Sequence, residues 1–177
     1  LGRACDLVVG DFDSLGIVPE FTSVERVPVE KDDTDMMLAV KRGLALGHRE
    51  FHLYGGMGGK RTDHTVANFQ TLQFLADNDA QGVLVGNTTM ATVIKNGSLS
   101  FPAGAEGTIS AFCHGPDAKG VTLKGLYYPL EKGTLTPGFP LGASNHFTGV
   151  PAKITVEEGS LLVIWERRAG LPLEMTR

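Results

Sequence analysis

Two aspartates separated by a single residue follow an apolar stretch near the start of the sequence. In VVGDFDSLG, residues 8–16, the β-branched valines suit a buried strand, and Asp11 and Asp13 come directly after it. Two carboxylates so close together repel each other unless protons or a cation compensate their charge. Mg²⁺ suits such oxygen ligands, since it takes one or two carboxylates and leaves its other positions to water and phosphate. A turn is an equally good interpretation of this segment alone, because Asp and Ser are common turn residues.

A second acidic cluster, KDDTD at residues 31–35, precedes a predicted helix. Asp and Thr are favoured near helix N-termini, so a solvated helix start is the simpler interpretation of this cluster on its own. Ligands of open parallel sheets bind at the carboxyl ends of the strands, however, and this cluster can face the first one across those ends. The two clusters together are therefore more informative than either one alone.

The most informative segment is GGMGGKRTDH, residues 55–64, between a predicted strand and a predicted helix. Its glycines permit backbone shapes that other residues cannot adopt, and they allow close approach to a ligand. Free N–H groups at a helix start bind phosphate, and Lys60 and Arg61 add positive charge where phosphate oxygens would lie. The segment matches neither the P-loop nor the GxGxxG pattern. A flexible basic surface loop is the alternative interpretation.

Together the three clusters predict a site for a polyphosphate and a divalent cation. Acidic side chains would hold the metal, while glycines and basic side chains would hold the phosphates. The repulsion between Asp11 and Asp13 is tolerable in such a site, because a doubly charged ion lies between these carboxylates and a nucleotide.

The first half of the sequence alternates strand-like and helix-like patterns. This order predicts an α/β domain with a parallel, Rossmann-like sheet, in which helices connect the strands. The predicted strands are residues 5–11, 49–56 and 82–87, and the predicted helices are residues 34–47 and 63–79. Thr34 can cap the first helix, and Gly47 can end it.

The second half consists of short segments, mostly of alternating apolar and polar residues, separated by Gly, Pro and Asn. Such segments predict an antiparallel β-sandwich or barrel. The strand-like segments lie within residues 98–104, 107–115, 120–130, 152–159 and 160–167. We therefore expect two packed domains, a nucleotide-binding catalytic domain at residues 1–92 and a β-sandwich at residues 93–177.

The composition excludes several classes of protein. A formal net charge of −4 provides no electrostatic attraction to nucleic acid or to an anionic membrane. No apolar run approaches the ~18 residues that a membrane-spanning helix needs. Two cysteines, Cys5 and Cys113, lie far apart without metal-ligand spacing, so we expect free thiols in a reducing cytoplasm.

Four motifs along the chain resemble, in order and spacing, those of the thiamine pyrophosphokinase family, also called thiamine diphosphokinases. They are GDFDS at residues 10–14, KDDTD at 31–35, GGMGGKRTDH at 55–64 and LGASNHF at 141–147. The resemblance covers nearly the whole chain and implies an α/β catalytic domain followed by a β-sandwich that binds thiamine. It implies a Mg²⁺-dependent reaction in which the thiamine hydroxyl attacks the β-phosphorus of ATP, giving AMP and thiamine diphosphate.

The resemblance also implies roles for individual residues of the catalytic half. Asp11, Asp13 and Asp35 match metal ligands, one of which could take the proton of the attacking hydroxyl; Asp33 is a weaker candidate. The matching nucleotide-binding residues are Lys31, Gly58, Gly59, Arg61, Asp63 and His64. For His64, a hydrogen-bonding role at the helix start is an equally good interpretation.

In the second half, Ser144 and Asn145 match the family's Ser-Asn pair, which contacts the aminopyrimidine of thiamine. A neutral heteroaromatic ring with an amino group requires neutral donors and acceptors, although without the resemblance a Ser or Asx turn would be preferred. Trp165 could stack on a thiamine ring, but a place in the core or rim of the sandwich is the favoured interpretation.

The resemblance further implies a homodimer, with an active site between the catalytic domain of one subunit and the sandwich of the other. Family members also have an upstream strand and helix that this sequence does not include. Two alternative functions stay open. One is a diphosphokinase that acts on another alcohol such as a hydroxymethylpterin, and the other is a nucleotide or thiamine sensor without turnover.

Overall fold

The structure is a computed structural model that describes residues 6–10, 23–26 and 33–176. The chain divides into two compact units, Leu1–His48 and Arg49–Arg177. The division lies well before the boundary at residues 92/93 that the sequence patterns predict, and residue 92 lies within a strand. The position of the functional domain boundary stays a prediction.

The first unit contains a short parallel strand pair and a helix. Strand β1 (Val8–Gly10) pairs with β2 (Val24–Arg26), and the helix α1 spans Asp35–Ala45. The hydroxyl of Thr34 accepts a hydrogen bond from the backbone N–H of Met37 at 3.2 Å, which caps the helix as predicted. The helix end near Gly47, at φ +91°, is likewise confirmed.

The second unit begins with a strand–helix–strand motif. Strand β3 (Glu50–Tyr54) and strand β4 (Gln81–Val85) are parallel, and helix α2 (Thr62–Asp77) connects them. This motif confirms the predicted order of elements in this part of the chain. A fuller Rossmann-like arrangement stays a prediction.

Helix α2 packs closely against the sheet through one face. A Cβ atom added at Gly82 of β4 would lie 2.5 Å from Leu75 Cδ1, so glycine allows this close approach. The buried residues of the helix follow a spacing of three and four and are Asn68, Thr71, Leu72 and Leu75. Val66, an apolar residue of the same helix, is 53% exposed and does not belong to that face.

The rest of the second unit is built almost entirely of strands. They are β5 (Thr89–Lys95), β6 (Ser98–Phe101), β7 (Thr108–Cys113), β8 (Ala118–Lys124), β9 (Leu130–Leu135), β10 (Asn145–His146), β11 (Ala152–Thr155), β12 (Ser160–Glu166) and β13 (Glu174–Thr176). A 3₁₀ turn, Arg167–Ala169, follows β12.

The strands of the second unit form two sheets. Within the described residues, one sheet has the order β10-β7-β12-β5-β4-β3 and the other has the order β13-β6-β11-β8-β9. Every pairing except that of β3 with β4 is antiparallel. The predicted antiparallel architecture is thus confirmed, and its first sheet continues without interruption into the strands of the strand–helix–strand motif.

One apolar core fills the second unit, and side chains from both sheets contribute to it. Phe101 makes edge-to-face contacts with Phe147 and Trp165, with ring centroids 4.9 and 5.4 Å apart. Strands β7 and β8 alternate buried and more exposed residues, whereas β5 and β12 in the middle of the first sheet are buried along most of their length. Neither helix of the described part has the length and apolar character that crossing a membrane requires.

Candidate active site

The predicted metal ligands are only partly within the described residues. Asp11, Asp13 and Lys31 lie outside them, whereas Asp35 lies in the first turn of α1 with its side chain exposed. Asp33 forms an ion pair with Lys41, with Asp33 Oδ2 and Lys41 Nζ 2.6 Å apart. The role of Asp33 stays a prediction. Among residues 6–10, 23–26 and 33–176, no three His, Cys, Asp or Glu side chains form a metal-binding group.

The glycine-rich loop between β3 and α2 uses the conformations that its sequence predicts. Gly55 and Gly58 have φ values of +78° and +81°, in the left-handed region that favours glycine. A Cβ atom added at Gly56 would lie 2.6 Å from Leu84 Cδ1. The loop therefore depends on glycine for its backbone shape at two positions and for close packing at a third.

Asn68 of α2 ties this loop to the helix. Its side-chain Nδ2 donates a hydrogen bond to the backbone carbonyl of Gly56 at 2.9 Å, and the residue is buried. Sequence reasoning missed this contact. One feature of the sequence could have indicated it. Asn68 is a polar residue that lies three residues before Thr71 and four before Leu72, at the spacing of a buried helix face.

Arg61 and Asp63 form an exposed ion pair where α2 begins. The guanidinium donates from Nε to Asp63 Oδ1 at 2.9 Å and from Nη2 to Asp63 Oδ2 at 2.6 Å. This hydrogen bonding lowers the pKa of Asp63 to about 2. Arg61 occupies the N-cap position and makes no side-chain capping hydrogen bond. The helix start thus carries a fixed charged pair and lacks a side-chain cap of the usual kind.

Ser144 has a strained backbone and an exposed side chain. Its φ of +56° lies in the left-handed region, which is uncommon for a residue other than glycine. The backbone N–H of Ser144 donates to Ser110 Oγ of β7 at 3.0 Å, which holds the residue beside the sheet. Ser144 is therefore an exposed residue with a defined backbone position.

Asn145, by contrast, is 3% exposed, and its carboxamide bonds to the backbone. Its Oδ1 accepts hydrogen bonds from the backbone N–H groups of Tyr128 and His146, both at 2.9 Å. Its Nδ2 donates to the backbone carbonyl of Tyr128 at 2.7 Å. The two members of the predicted Ser-Asn pair thus have opposite surroundings.

Trp165 lies in the core between the sheets and is 1% exposed. Its indole Nε1 donates to the backbone carbonyl of Gly170 at 2.9 Å, so the polar atom of the ring is satisfied internally. No face of the ring is open to a ligand. The structure favours the packing interpretation of Trp165 over stacking on thiamine.

A cavity of about 110 Å³ lies next to Asn145. Its walls come from residues 128–130, residues 141–143 and Asn145, together with Leu123. A larger cavity of about 170 Å³ lies between β3 and residues 171–175, and none of the predicted site residues lines it. Of these two cavities, the smaller one is lined by a predicted site residue, Asn145, and the larger one by none.

Comparison with protein families separates the chain into two matching parts. Residues 1–84 match the catalytic domain of thiamin pyrophosphokinase, and residues 98–161 match the vitamin B1 binding domain of the same enzyme. The chain belongs to the thiamin pyrophosphokinase family. The order of the two parts is the one implied by the motifs, and the glycine-rich loop and the Ser-Asn pair fall in the part where each is expected. ATP is the co-substrate in the thiamin pyrophosphokinase family.

Solved structures of thiamin pyrophosphokinases have the same fold. The Bacillus subtilis enzyme aligns with a TM-score of 0.78 at 25% identity, covering 90% of this chain and 78% of its own. A thiamin pyrophosphokinase family protein from Enterococcus faecalis gives a TM-score of 0.74 at 26% identity, with coverages of 92% and 80%. The Candida albicans enzyme gives a TM-score of 0.74 at 14% identity, covering 93% of this chain and 73% of its own, which supports the fold alone. A search of curated proteins gave no match.

Proposed function

We propose that this chain is a thiamine diphosphokinase, which transfers the terminal diphosphate of ATP to the hydroxyl of thiamine and releases AMP. The observation that carries the proposal is the match of both family domains in one chain, in the family's order. Such a transfer needs positioning and charge neutralisation more than covalent chemistry. The proposed roles of the residues are therefore to bind and orient the two substrates and to neutralise charge.

The phosphate groups of ATP are the proposed ligands of the loop and helix start at residues 55–64. Arg61 offers a planar set of donors that matches phosphate oxygens, and it is exposed. The first N–H groups of α2 point toward the same end of the helix, where the helix dipole favours an anion. Gly58 and Gly59 have no side chain that would keep a phosphate from the backbone: a Cβ added at either glycine would meet no atom within 4 Å. Asp63 holds the Arg61 guanidinium in place.

Mg²⁺ is the proposed partner of ATP, and Asp11, Asp13 and Asp35 are its proposed ligands. The exposed carboxylate of Asp35 is a hard oxygen donor of the type that Mg²⁺ prefers. Bound Mg²⁺ would neutralise charge on the phosphate oxygens during transfer. One aspartate of the set would accept the proton of the thiamine hydroxyl, and Lys31 would add a further phosphate contact.

The thiamine end of the site is assigned to the sandwich part of the chain. Ser144 is supported as a direct contact, because its hydroxyl is exposed on a held backbone. A hydroxyl is a neutral donor and acceptor, which suits the ring nitrogens and the amino group of the aminopyrimidine. Trp165 is not among the proposed thiamine contacts, because its ring is enclosed in the core.

A homodimer with shared active sites completes the proposal. Support comes from several large apolar side chains that are exposed around the second half of the chain, namely Tyr127, Tyr128, Phe139, Leu141 and Val150. Side chains of this type are common at protein interfaces. In such a dimer, Ser144 of one subunit would bind the thiamine that reacts beside the aspartates of the other subunit.

A cytoplasmic location is the last part of the proposal. It rests on the presence of two cysteines without metal-ligand spacing. Cys113 is a free thiol that donates a hydrogen bond to the carbonyl of Pro116 at 2.9 Å.

A panel of acceptor alcohols tests the proposal against its alternatives. Incubation with Mg-ATP and thiamine should yield AMP, whereas a hydroxymethylpterin should yield none. Reaction of the pterin with thiamine left unreacted would instead favour the other diphosphokinase. Tight thiamine binding by calorimetry without AMP formation would favour a sensor. Inclusion of EDTA should abolish AMP formation, and added Mg²⁺ should restore it.

A further inference from the structure

Four neighbouring strands of the first sheet are in register at one edge of that sheet. Tyr54, the last residue of β3, lies beside Val85, the last residue of β4. Val85 pairs with Met90 of β5, and Met90 pairs with Trp165 of β12. This row marks the carboxyl end of the parallel strand pair, where ligands of α/β sheets bind. The glycine-rich loop follows Tyr54 at this edge, and Arg167 comes two residues after Trp165 at the same edge.

Arg167 is fixed to the turn between β4 and β5. Its backbone N–H donates to the carbonyl of Thr88 at 2.8 Å, and its guanidinium Nη1 donates to the carbonyl of Gly86 at 3.2 Å. The turn is closed by a bond from the N–H of Gly86 to the carbonyl of Thr89 at 2.9 Å. Arg167 is therefore an exposed residue whose guanidinium has a defined place.

The same turn contacts the glycine-rich loop. Gly86 is buried, and a Cβ atom added to it would lie 3.0 Å from Met57 Cε and 3.4 Å from Met57 Cβ. Gly86 thus lies against the loop on one side and accepts the bond from Arg167 with its carbonyl. One residue connects the guanidinium of Arg167 with the loop that is proposed to bind phosphate.

The charge of Arg167 is not compensated in the way that the charges of Arg61 and Arg168 are. Arg61 Nη2 lies 2.6 Å from Asp63 Oδ2, and Arg168 Nε lies 2.6 Å from Glu166 Oε2. Within the described part of the chain, Arg167 makes no ion pair, and its guanidinium bonds only to the carbonyl of Gly86. Most of its N–H donors are therefore available to an anion. A planar cation of this kind suits phosphate oxygens.

We infer that Arg167 is a further binding residue for the phosphate chain of ATP, supplied by the end of β12. This inference rests on the proposed function. The two family matches cover residues 1–84 and 98–161, so neither of them includes Arg167. Arg61 and Arg167 would together neutralise charge on the phosphates, which is the main requirement of such a transfer.

The test compares Arg167→Gln and Arg167→Lys with the wild type, with Arg168→Ala as the matched control. Glutamine keeps an N–H donor for the Gly86 carbonyl but has no charge, and every variant keeps the backbone bond to Thr88, so the turn should be retained. Calorimetry with Mg²⁺ and without thiamine measures the binding of inorganic pyrophosphate and of ATP.

Arg167→Gln should raise the Kd of pyrophosphate and of ATP roughly tenfold, since hydrogen bonds to charged groups contribute free energy of that order. Arg167→Lys should give a smaller increase, because it keeps the charge without the planar set of donors. Arg168→Ala should leave both constants within about twofold, since it removes an exposed side chain that is already paired.

Adenosine distinguishes a phosphate contact from a disturbed turn, because it has no phosphate. Its Kd should be the same for the wild type and for Arg167→Gln. Three results would overturn the inference: unchanged pyrophosphate binding in Arg167→Gln, an equal loss of adenosine and ATP binding, or no binding of pyrophosphate and ATP by the wild type. Wild-type protein that makes no AMP from thiamine would instead contradict the proposed function, and the pyrophosphate measurement would still decide the role of Arg167.

Discussion

Asn68 and Gly56 are joined by a hydrogen bond of 2.9 Å from a buried side-chain amide to a backbone carbonyl. This bond connects the interior of α2 with the loop that precedes it. Because the same face of the helix packs on β4, the loop takes its position from the core of the second unit. A loop proposed to bind phosphate is thus fixed at the buried Gly56, while Gly55, Gly58 and Gly59 are exposed.

Removal of this bond should weaken both the fold and nucleotide binding. Asn68→Ala leaves the Gly56 carbonyl unpaired in a buried place, and we expect a loss of about 1–3 kcal/mol in the free energy of unfolding. The KM for ATP should rise, while the KM for thiamine should change little. Urea denaturation and steady-state kinetics measure the two effects. Gln70→Ala, at an exposed position of the same helix, is the matched control and should affect neither.

The ion pair at the helix start gives a prediction about protonation. Arg61→Ala removes the group that lowers the pKa of Asp63, so that pKa should rise from about 2 toward the ordinary value of 3.8. NMR titration of the Asp63 carboxyl measures the change. In the wild type, the favourable pairing is present at neutral pH and is lost as the pH falls through about 2. Both side chains are exposed, so the melting temperature at neutral pH should hardly change.

The same variant tests the proposed phosphate contact. Arg61→Ala should raise the KM for ATP, because a bidentate cation is lost. Arg61→Lys keeps the charge without the planar set of donors and should give a smaller increase. An unchanged KM for ATP in both variants would remove Arg61 from the nucleotide site.

Substitution of Trp165 distinguishes a role in core packing from a role in thiamine binding. Trp165→Phe loses the hydrogen bond to Gly170 and leaves space in the core, so the free energy of unfolding should fall by about 1–3 kcal/mol. The KM for thiamine should stay within about twofold if the ring only packs in the core. A large increase in that KM at unchanged stability would restore the stacking hypothesis. Thermal denaturation and kinetics on the same preparation distinguish these results.

A mixture of two impaired variants, assayed at a thiamine concentration too low to saturate Ser144→Ala, tests the shared active site. Asp13→Asn should lower kcat by about 100-fold or more through loss of metal placement, and Ser144→Ala should weaken thiamine binding. If each site uses both subunits, a mixed dimer has one intact site, and an equal mixture recovers roughly a quarter of the wild-type activity. Sites contained within one subunit would show no recovery. Sizing of each variant confirms whether dimers are present before mixing.

Much of the local structure was predictable because local rules determine it. The first turn of α1 follows from a capping threonine and an acidic residue, and both ends of the helix were placed within about two residues. Strands β7 and β8 alternate because one face of each is buried against the core. The short loop and helix between β3 and β4 favour the parallel strand–helix–strand motif.

Long-range pairing was not predictable in the same way. The seven-residue pairing of β12 with β5 joins segments far apart in the chain, and it places β4 in the same sheet as the sandwich strands. Periodicity within a segment carries no information about which distant strand it will meet. The predicted domain boundary was placed where the sequence changes from alternating strand-like and helix-like segments to strand-like segments alone. The sheet, however, continues across that point.

The candidate site was predictable in its residue types but not in their surroundings. Ser144 and Asn145 are adjacent in sequence, yet one is exposed and the other is enclosed by the backbone of Tyr128. Ser144 lies in a turn with a φ of +56°, whereas Asn145 begins β10, so the change of backbone between them gives the two side chains different surroundings. The surroundings of Trp165 were not predictable either. The place of β12 within the sheet decides whether the indole ring lies in solvent or in the core.

The transfer of an intact diphosphate to thiamine is tested most directly with labelled ATP. Protein, Mg²⁺ and thiamine are incubated with ATP labelled at the α- or at the β-phosphorus, and the products are separated. We predict that the α-label is recovered in AMP and the β-label in thiamine diphosphate, in equal molar amounts. Recovery of the β-label in ADP, together with thiamine monophosphate, would contradict the account.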